Sequence, residues 1–205
     1  LNRGENPIGG DEPGLDELID RVNKKGTFEV TDDIGAVKDA DAILIDVQTP
    51  TESDHQPRYE SLISVSQQVG EVMRSGTLVC IESTVAPGTT ENLVLPILES
   101  ASGLTCGKDF SLAFAYERVM VGRLLYNITD LPRIVGGIDD ESTKRAVDLY
   151  SNIVRAEIHS TDSLTAEVSK TVENTYRDVN IAFANEVALI CESLGIDAFR
   201  VRELV

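Results

Sequence analysis

Thr77-Leu-Val-Cys-Ile-Glu-Ser-Thr-Val-Ala-Pro-Gly-Thr-Thr90 holds a whole structural unit in one run. Residues 77–81 are apolar, β-prone and of strand length, which predicts a strand buried on both faces of a parallel sheet. Residues 82–86 are a polar turn, and Pro87-Gly88 opens a helix over 89–100.

Working outward, the same rhythm repeats. Upstream, Ala42-Ile-Leu-Ile-Asp-Val47 is a second buried strand, stopped by Thr49-Pro50. Between the two, Leu62, Val65, Val69, Val72 and Met73 recur at helical spacing over 59–74, and Ser75-Gly76 ends the helix. Nearer the start, Pro13 stands at a first helical position, Leu15, Leu18, Ile19 and Val22 form one face, and Gly26 closes a short helix. Residues 27–31 read as β-rich. Downstream, strands are expected over 110–116, 133–135 and 153–158, with a helix over 142–150. Alternating strands and helices of these lengths predict an α/β fold, a Rossmann-like doubly wound parallel sheet.

The last segment differs. Thr165-Ala-Glu-Val-Ser-Lys-Thr-Val-Glu-Asn-Thr-Tyr-Arg-Asp-Val-Asn-Ile-Ala-Phe-Ala-Asn-Glu186 contains no Pro or Gly, and Val168, Val172, Val179, Phe183, Val187 and Ile190 share a face. Asp162, Ser163 or Thr165 can cap its start, Glu167 falls in the first turn, and Gly195 ends it. The predicted helix of about 30 residues spans about 45 Å at 1.5 Å per residue and needs a partner along its length.

Composition narrows the function. The 205 residues carry 35 Asp and Glu against 18 Lys and Arg, a net charge of −17. Such a surface repels nucleic acid and anionic membranes. The acid-rich, lysine-poor balance resembles proteins of salt-loving cells. No apolar run approaches a membrane span, and the first residues lack a signal-peptide pattern. Cys80, Cys106 and Cys191 show no metal-ligand spacing, so no metal site is expected, and the three fit buried thiols in a reducing, cytoplasmic setting. His55 and His159 fit surface or turn positions.

In sheets of this kind ligands sit outside the carboxyl ends of the strands. There stand Val47-Gln-Thr-Pro50, Glu82-Ser-Thr-Val-Ala-Pro-Gly-Thr-Thr90 and Tyr116-Glu-Arg-Val119. Each alone is ordinary turn chemistry. Lys170 and Asn174, four apart, emerge from one face of the long helix, and Arg177 continues it.

Taken together, these stretches resemble the nucleotide-sugar 6-dehydrogenases, the UDP-glucose/GDP-mannose dehydrogenase family. Asp39-Ala-Asp-Ala-Ile-Leu-Ile, Pro132-Arg-Ile-Val-Gly-Gly137 and the 173–186 run complete the likeness, in the family's order and over essentially the whole chain. The resemblance implies NAD-dependent oxidation of a UDP-sugar hydroxymethyl group to a carboxylate through a covalent thiohemiacetal. It implies N-acetylmannosamine as the sugar on the 173–186 run alone. It places Thr49 and Pro50 on the nicotinamide side of the NAD cleft, and Thr84 against the cofactor and the hydrolytic water. Glu117 is implied as general base or water activator beside the cofactor. Lys170 and Asn174 would stabilise the oxyanion, Arg177 would contact substrate, and the long helix, residues 163–194, would form a homodimer.

The implied division is a partial NAD-binding domain over 1–160, without its first strands and Gly-rich phosphate turn, and a central helical region over 161–205. The family's substrate domain and nucleophilic Cys are not among these residues, so the chain alone is expected to be inactive. Two other readings stay open: an association module without catalysis, and a relative of the β-hydroxyacid dehydrogenases, which also place Lys and Asn four apart. Residues 82–90 and the Arg177-Asp-Val-Asn-Ile run favour a nucleotide-sugar enzyme over the last.

Overall fold

A computed structural model describes residues 1–205, which divide into two compact units, Leu1–Val168 and Ser169–Val205. In the first, five strands lie side by side in chain order: β1 (Ala42–Ile45), β2 (Leu78–Ile81), β3 (Ser111–Phe114), β4 (Arg133–Gly137) and β5 (Ile158–Asp162). The order follows from short βα connections. Helix α1 (Leu15–Lys25) precedes β1, and α2 (Glu60–Val72), α3 (Leu95–Ser102), α4 (Leu124–Asp130) and α5 (Asp140–Tyr150) fill the four intervals between strands.

The strand period of two sorts the core. In β2, Val79 and Ile81 face one cluster with Leu62, Val69 and Leu98 of α2 and α3; Leu78 and Cys80 face another with Ala146 and Tyr150 of α5. Helices therefore cover both faces, and β2 and β3 are buried at every position. β1 departs from the expected fully buried strand. Ile43 and Ile45 are buried but Leu44 is exposed, because it faces the α5 side at the sheet's edge.

The expected parallel pairing holds for β1/β2, β2/β3 and β4/β5, but β3 and β4 pair antiparallel. Between them lies only α4, seven residues or about 10 Å long, too short to carry the chain back across a sheet face. The chain turns at the rim instead. β4 thus begins where β2 and β3 end, which brings Arg133 to the carboxyl rim.

Other boundaries moved. Residues 27–31 form no strand; Asn2 holds the Val30 backbone from both sides through its side chain. The last strand is Ile158–Asp162 rather than 153–158, since Val154 is spent on the α5-side core and β5 is a half-exposed strand of polar residues. The helix expected over 89–100 is a π-turn, Thr90–Val94, continued by α3. Cys106 is half-buried rather than buried. Gly70 permits the α2–α3 contact: a Cβ there would stand 2.7 Å from the Ala101 Cβ. Gly136 is tighter still, with the Asp162 carbonyl 2.2 Å from where a Cβ would be.

The long helix is α6, Ser163–Leu194, 32 residues that begin in the first unit and make up most of the second. Asp162 caps it, accepting from the Thr165 amide at 2.8 Å and hydroxyl at 2.7 Å, and these bonds hold its carboxyl below the usual range. In the second unit α6 is followed by α7 (Ala198–Leu204), capped by Asp197 after the left-handed Gly195.

Candidate functional site

The turns after β1 and β2 are stitched to each other. Ser83 Oγ accepts from the Val47 amide and donates to the Val47 carbonyl, both at 2.8 Å, and Thr49 Oγ1 donates to the Thr84 carbonyl at 2.6 Å. The Tyr59 hydroxyl accepts from the Ala86 amide at 2.7 Å and steadies the far side of the turn. Buried Ser83 serves structure, while its neighbour Thr84 is left exposed beside half-buried Thr49 and exposed Pro50. The turn chemistry that residues 49–50 and 83–84 suggest is real, and it presents the Thr84 side chain at the rim.

Below this rim lies a buried ionic cluster. Arg133 Nη2 donates to Glu82 Oε1 at 2.6 Å and to the Ala115 carbonyl at 2.7 Å, with its guanidinium 4.0 Å from the centre of the Tyr150 ring. The Tyr150 hydroxyl donates to the same Glu82 oxygen at 2.5 Å. Burial, with the Cys80 and Glu82 charges, pushes the Tyr150 phenol up, so it stays a donor. Burial also pushes the Cys80 thiol up to about 12 and the Cys106 thiol to about 11, the opposite of what a nucleophilic thiolate needs.

Glu117 follows β3 and is half-buried, its Oε2 accepting from the Val119 amide. Arg118 donates to the Tyr116 hydroxyl at 3.0 Å and to the Pro132 carbonyl, closing the base of the 116–132 segment. Further along, Glu12 accepts from the Gly122 and Leu124 amides at 2.6 and 2.9 Å and seals the start of α4.

A second carboxylate does the same on a larger scale. Glu167, fully buried on α6, accepts from the Gly88 amide at 2.5 Å, the Thr90 amide at 2.8 Å and the Thr90 hydroxyl at 2.6 Å. The sequence places Glu167 in the first turn, near that helix's own dipole; α6 starts earlier, at Ser163, so Glu167 falls past the first turn and serves instead the helical segment starting at Thr90. That helix N-terminus is filled from within and offers no seat to a phosphate.

In the second unit, Lys170 is buried, and Asn174 stands one turn further along α6. Arg177 donates to Asn174 Oδ1 at 2.7 Å, which leaves the amide nitrogen as the group available for donation. Lys170, Asn174 and Arg177 thus lie within two turns of one helix. The apolar face of the same helix is uncovered: Val172, Val179, Phe183 and Ile190 are each more than half exposed. Phe183, Val187, Phe199 and Val201 line an apolar groove of about 490 Å³ between α6 and α7.

Thr49, Pro50, Thr84 and Glu117 therefore share the rim of the first unit. The sequence reading missed the residues beneath them. Glu82, Arg133 and Tyr150 lie 51 and 68 positions apart and carry no local signature of their pairing. No group of three or more His, Cys, Asp and Glu side chains is placed to hold a metal ion. No helix is long and apolar enough to cross a membrane.

Residues 1–154 match the NAD-binding domain of the UDP-glucose/GDP-mannose dehydrogenase family, and residues 164–205 match its central domain. The chain is 41% identical over 193 residues to a UDP-N-acetyl-D-mannosamine dehydrogenase of Pyrococcus horikoshii, covering 94% of this chain and 46% of the relative. Among solved structures, UDP-D-ManNAc dehydrogenase from Pyrococcus horikoshii superposes with a TM-score of 0.93 at 40% identity, over 100% of this chain and 48% of the other. An NDP-N-acetyl-D-galactosaminuronic acid dehydrogenase from Methanosarcina mazei superposes at 0.84 with 49% identity, over 98% and 43%. The chain spans about half the length of the curated relatives it matches.

Proposed function

We propose that this chain, which belongs to the UDP-glucose/GDP-mannose dehydrogenase family, supplies part of the NAD site and the central helix of an enzyme that oxidises the C6 hydroxymethyl of a UDP-sugar to a carboxylate. The observation that carries this is the stitched rim, where Thr49 donates to the Thr84 carbonyl and both stand beside Pro50 at strand ends. Residues 1–160 are the partial NAD-binding domain in this reading, and 161–205 the central helical region. A cytoplasmic location fits such a reaction.

Per sugar, the overall reaction consumes two NAD and one water and yields the uronate carboxylate, two NADH and protons. Each oxidation passes one hydride to NAD and releases the remaining hydrogen as a proton, and the acid formed by hydrolysis ionises. NAD, when bound, supplies the hydride acceptor. The rim fits its nicotinamide end, since Thr84 offers an exposed hydroxyl and Pro50 an apolar edge. It does not fit the pyrophosphate, because Glu167 already fills the helix N-terminus at Thr90. Thr84 orients the hydrolytic water, and the Glu117 carboxylate takes its proton. Lys170 and Asn174 present an ammonium and an amide one turn apart, a spacing that suits two donors to one developing oxyanion. Arg177 sets the Asn174 amide and reaches the substrate.

The sugar we assign is N-acetylmannosamine, supported by the Pyrococcus horikoshii relative. An N-acetylgalactosamine sugar is the second reading, favoured by the 49% identity to the Methanosarcina mazei protein. The uncovered apolar face of α6 supports a homodimer through residues 163–194, because contiguous exposed apolar surface of this kind marks an interface.

The test is NADH formation by the longer protein containing this chain, offered UDP-N-acetylmannosamine, UDP-N-acetylgalactosamine and UDP-glucose. Two NADH per sugar with the first preferred is the expected result. One NADH per sugar, or none, sinks the reading, and preference for the second sugar replaces the assignment.

A further inference from the structure

One guanidinium joins the two turns that carry Thr84 and Glu117. Because β3 and β4 are antiparallel, Arg133 opens β4 at the level where β2 and β3 end. Its Nη2 donates to Glu82, two residues before Thr84, and to the Ala115 carbonyl, two residues before Glu117, at 2.6 and 2.7 Å. Tyr150 lies under the guanidinium plane at 4.0 Å and donates to the same Glu82 oxygen at 2.5 Å. Arg133 is 6% exposed and Tyr150 1%.

A buried ion pair is a poor way to gain stability, since desolvating both charges offsets most of their attraction and apolar residues often do as well. What it does is fix geometry. Glu82 Oε1 is held by two donors from different elements, and Arg133 Nη2 has no slack left once both of its protons are committed. The flat guanidinium is further located by the ring beneath it, which a lysine ammonium would not be.

We propose that Arg133 is a positioning residue for the oxidation, with Tyr150 as its platform: it sets the spacing between the Thr84 turn and the Glu117 turn, and so between the water-orienting hydroxyl and the base. This inference rests on the dehydrogenase reading. The Ala115 amide donates to the Ile81 carbonyl at 2.9 Å, so the strand ladder joins the ends of β2 and β3, and Arg133 adds a side-chain tie from the same level to Glu82.

The test uses the longer protein, with each variant assayed at a temperature where circular dichroism shows it folded. Arg133→Lys keeps the charge beside Glu82 but is shorter and cannot lie flat on Tyr150. A displacement of about 1 Å at either turn lowers kcat by at least about tenfold, with KM for NAD and UDP-sugar within about threefold. Hydrogen exchange, read by mass spectrometry, speeds together at residues 83–86 and 116–119. A purely structural role would lower the melting temperature and leave kcat per folded molecule untouched. That outcome, a kcat within about twofold of wild type, overturns the inference and leaves the dehydrogenase reading standing. If Arg133→Lys does not fold, Tyr150→Phe carries the same test, with kcat expected to fall about threefold as one of three hydrogen bonds is lost. A wild-type protein without turnover overturns the dehydrogenase reading and, with it, the positioning role of Arg133.

Discussion

Glu167 on the first turns of α6 accepts from both the amide and the hydroxyl of Thr90, 77 residues earlier in the chain, at 2.8 and 2.6 Å. Within the first unit, the start of α6 is thereby fastened to the segment that follows the Thr84 turn. Both partners are fully buried. The bond is a helix cap made across the fold rather than along the chain.

Removing it has a predictable cost. Glu167→Ala leaves the Gly88 and Thr90 amides and the Thr90 hydroxyl without their acceptor in a dry setting, and should destabilise the first unit by about 2–4 kcal/mol. Glu167→Gln keeps the shape but turns an NH2 toward at least one of these donors, and should cost about half as much. Urea unfolding of the two variants checks the order; a Glu167→Ala midpoint equal to wild type would refute it.

Much of this fold could be read from the sequence, and the reason lies in particular residues. Val79 and Ile81 on one face and Leu78 and Cys80 on the other leave β2 no polar side, so a buried strand was the only reading. Gly26 and Gly195 adopt left-handed φ of 64° and 68° at the ends they mark. Strand β5 was misplaced because Ile-His-Ser-Thr-Asp carries no alternation, while Ile153 and Val154 just before it do look like a strand. The rim turns were legible because turn chemistry is local. The cluster of Glu82, Arg133 and Tyr150 was not, since a glutamate just after one strand and an arginine at the start of another announce nothing about each other.

Alkaline pH should unfold the protein through Cys80. Its thiol is pushed from 9.0 up to about 12, chiefly by burial and then by the Glu82 charge. A folded pKa above the unfolded one means that the folded state holds the proton longer. The stabilisation is complete below about pH 9 and is lost as pH rises toward 12, by up to about 4 kcal/mol over three units. Tyr150 acts in the same direction. Cys80→Ala should therefore reduce the slope of stability against pH between 9 and 11 by about one proton. Denaturant melts at several pH values read that slope; identical slopes would sink the account.

The net charge of −17 over 205 residues sets the salt response. If the acid-rich surface reflects a salt-rich cell, self-repulsion among carboxylates is large at low ionic strength and is screened within about 3 Å at 1 M. Melting temperature should then rise steeply between low and molar KCl. A flat profile would remove the salt-adapted reading while leaving the fold and the site as they are.

The sharpest test of the helix pair is catalytic and needs the longer protein. Lys170 and Asn174 are one turn apart on α6, and Arg177 holds the Asn174 carbonyl at 2.7 Å so that the amide nitrogen is left to donate. Donors fixed before the reaction act on charge that develops only in the transition state, so their loss shows in kcat more than in binding. Lys170→Ala should lower kcat by about 10²–10³-fold with a small change in NAD affinity. Glu117→Gln should behave differently, because its carboxylate is assigned to water rather than to the oxyanion. The first hydride transfers should proceed, the hydrolytic half should slow, and thioester-linked enzyme should accumulate to a level visible by intact mass. A Lys170→Ala enzyme with near wild-type kcat would reduce the pair to two polar residues on a helix. A Glu117→Gln enzyme that stalls before any NADH forms would move Glu117 from the water to the hydroxymethyl proton, where it would act as base in the first oxidation.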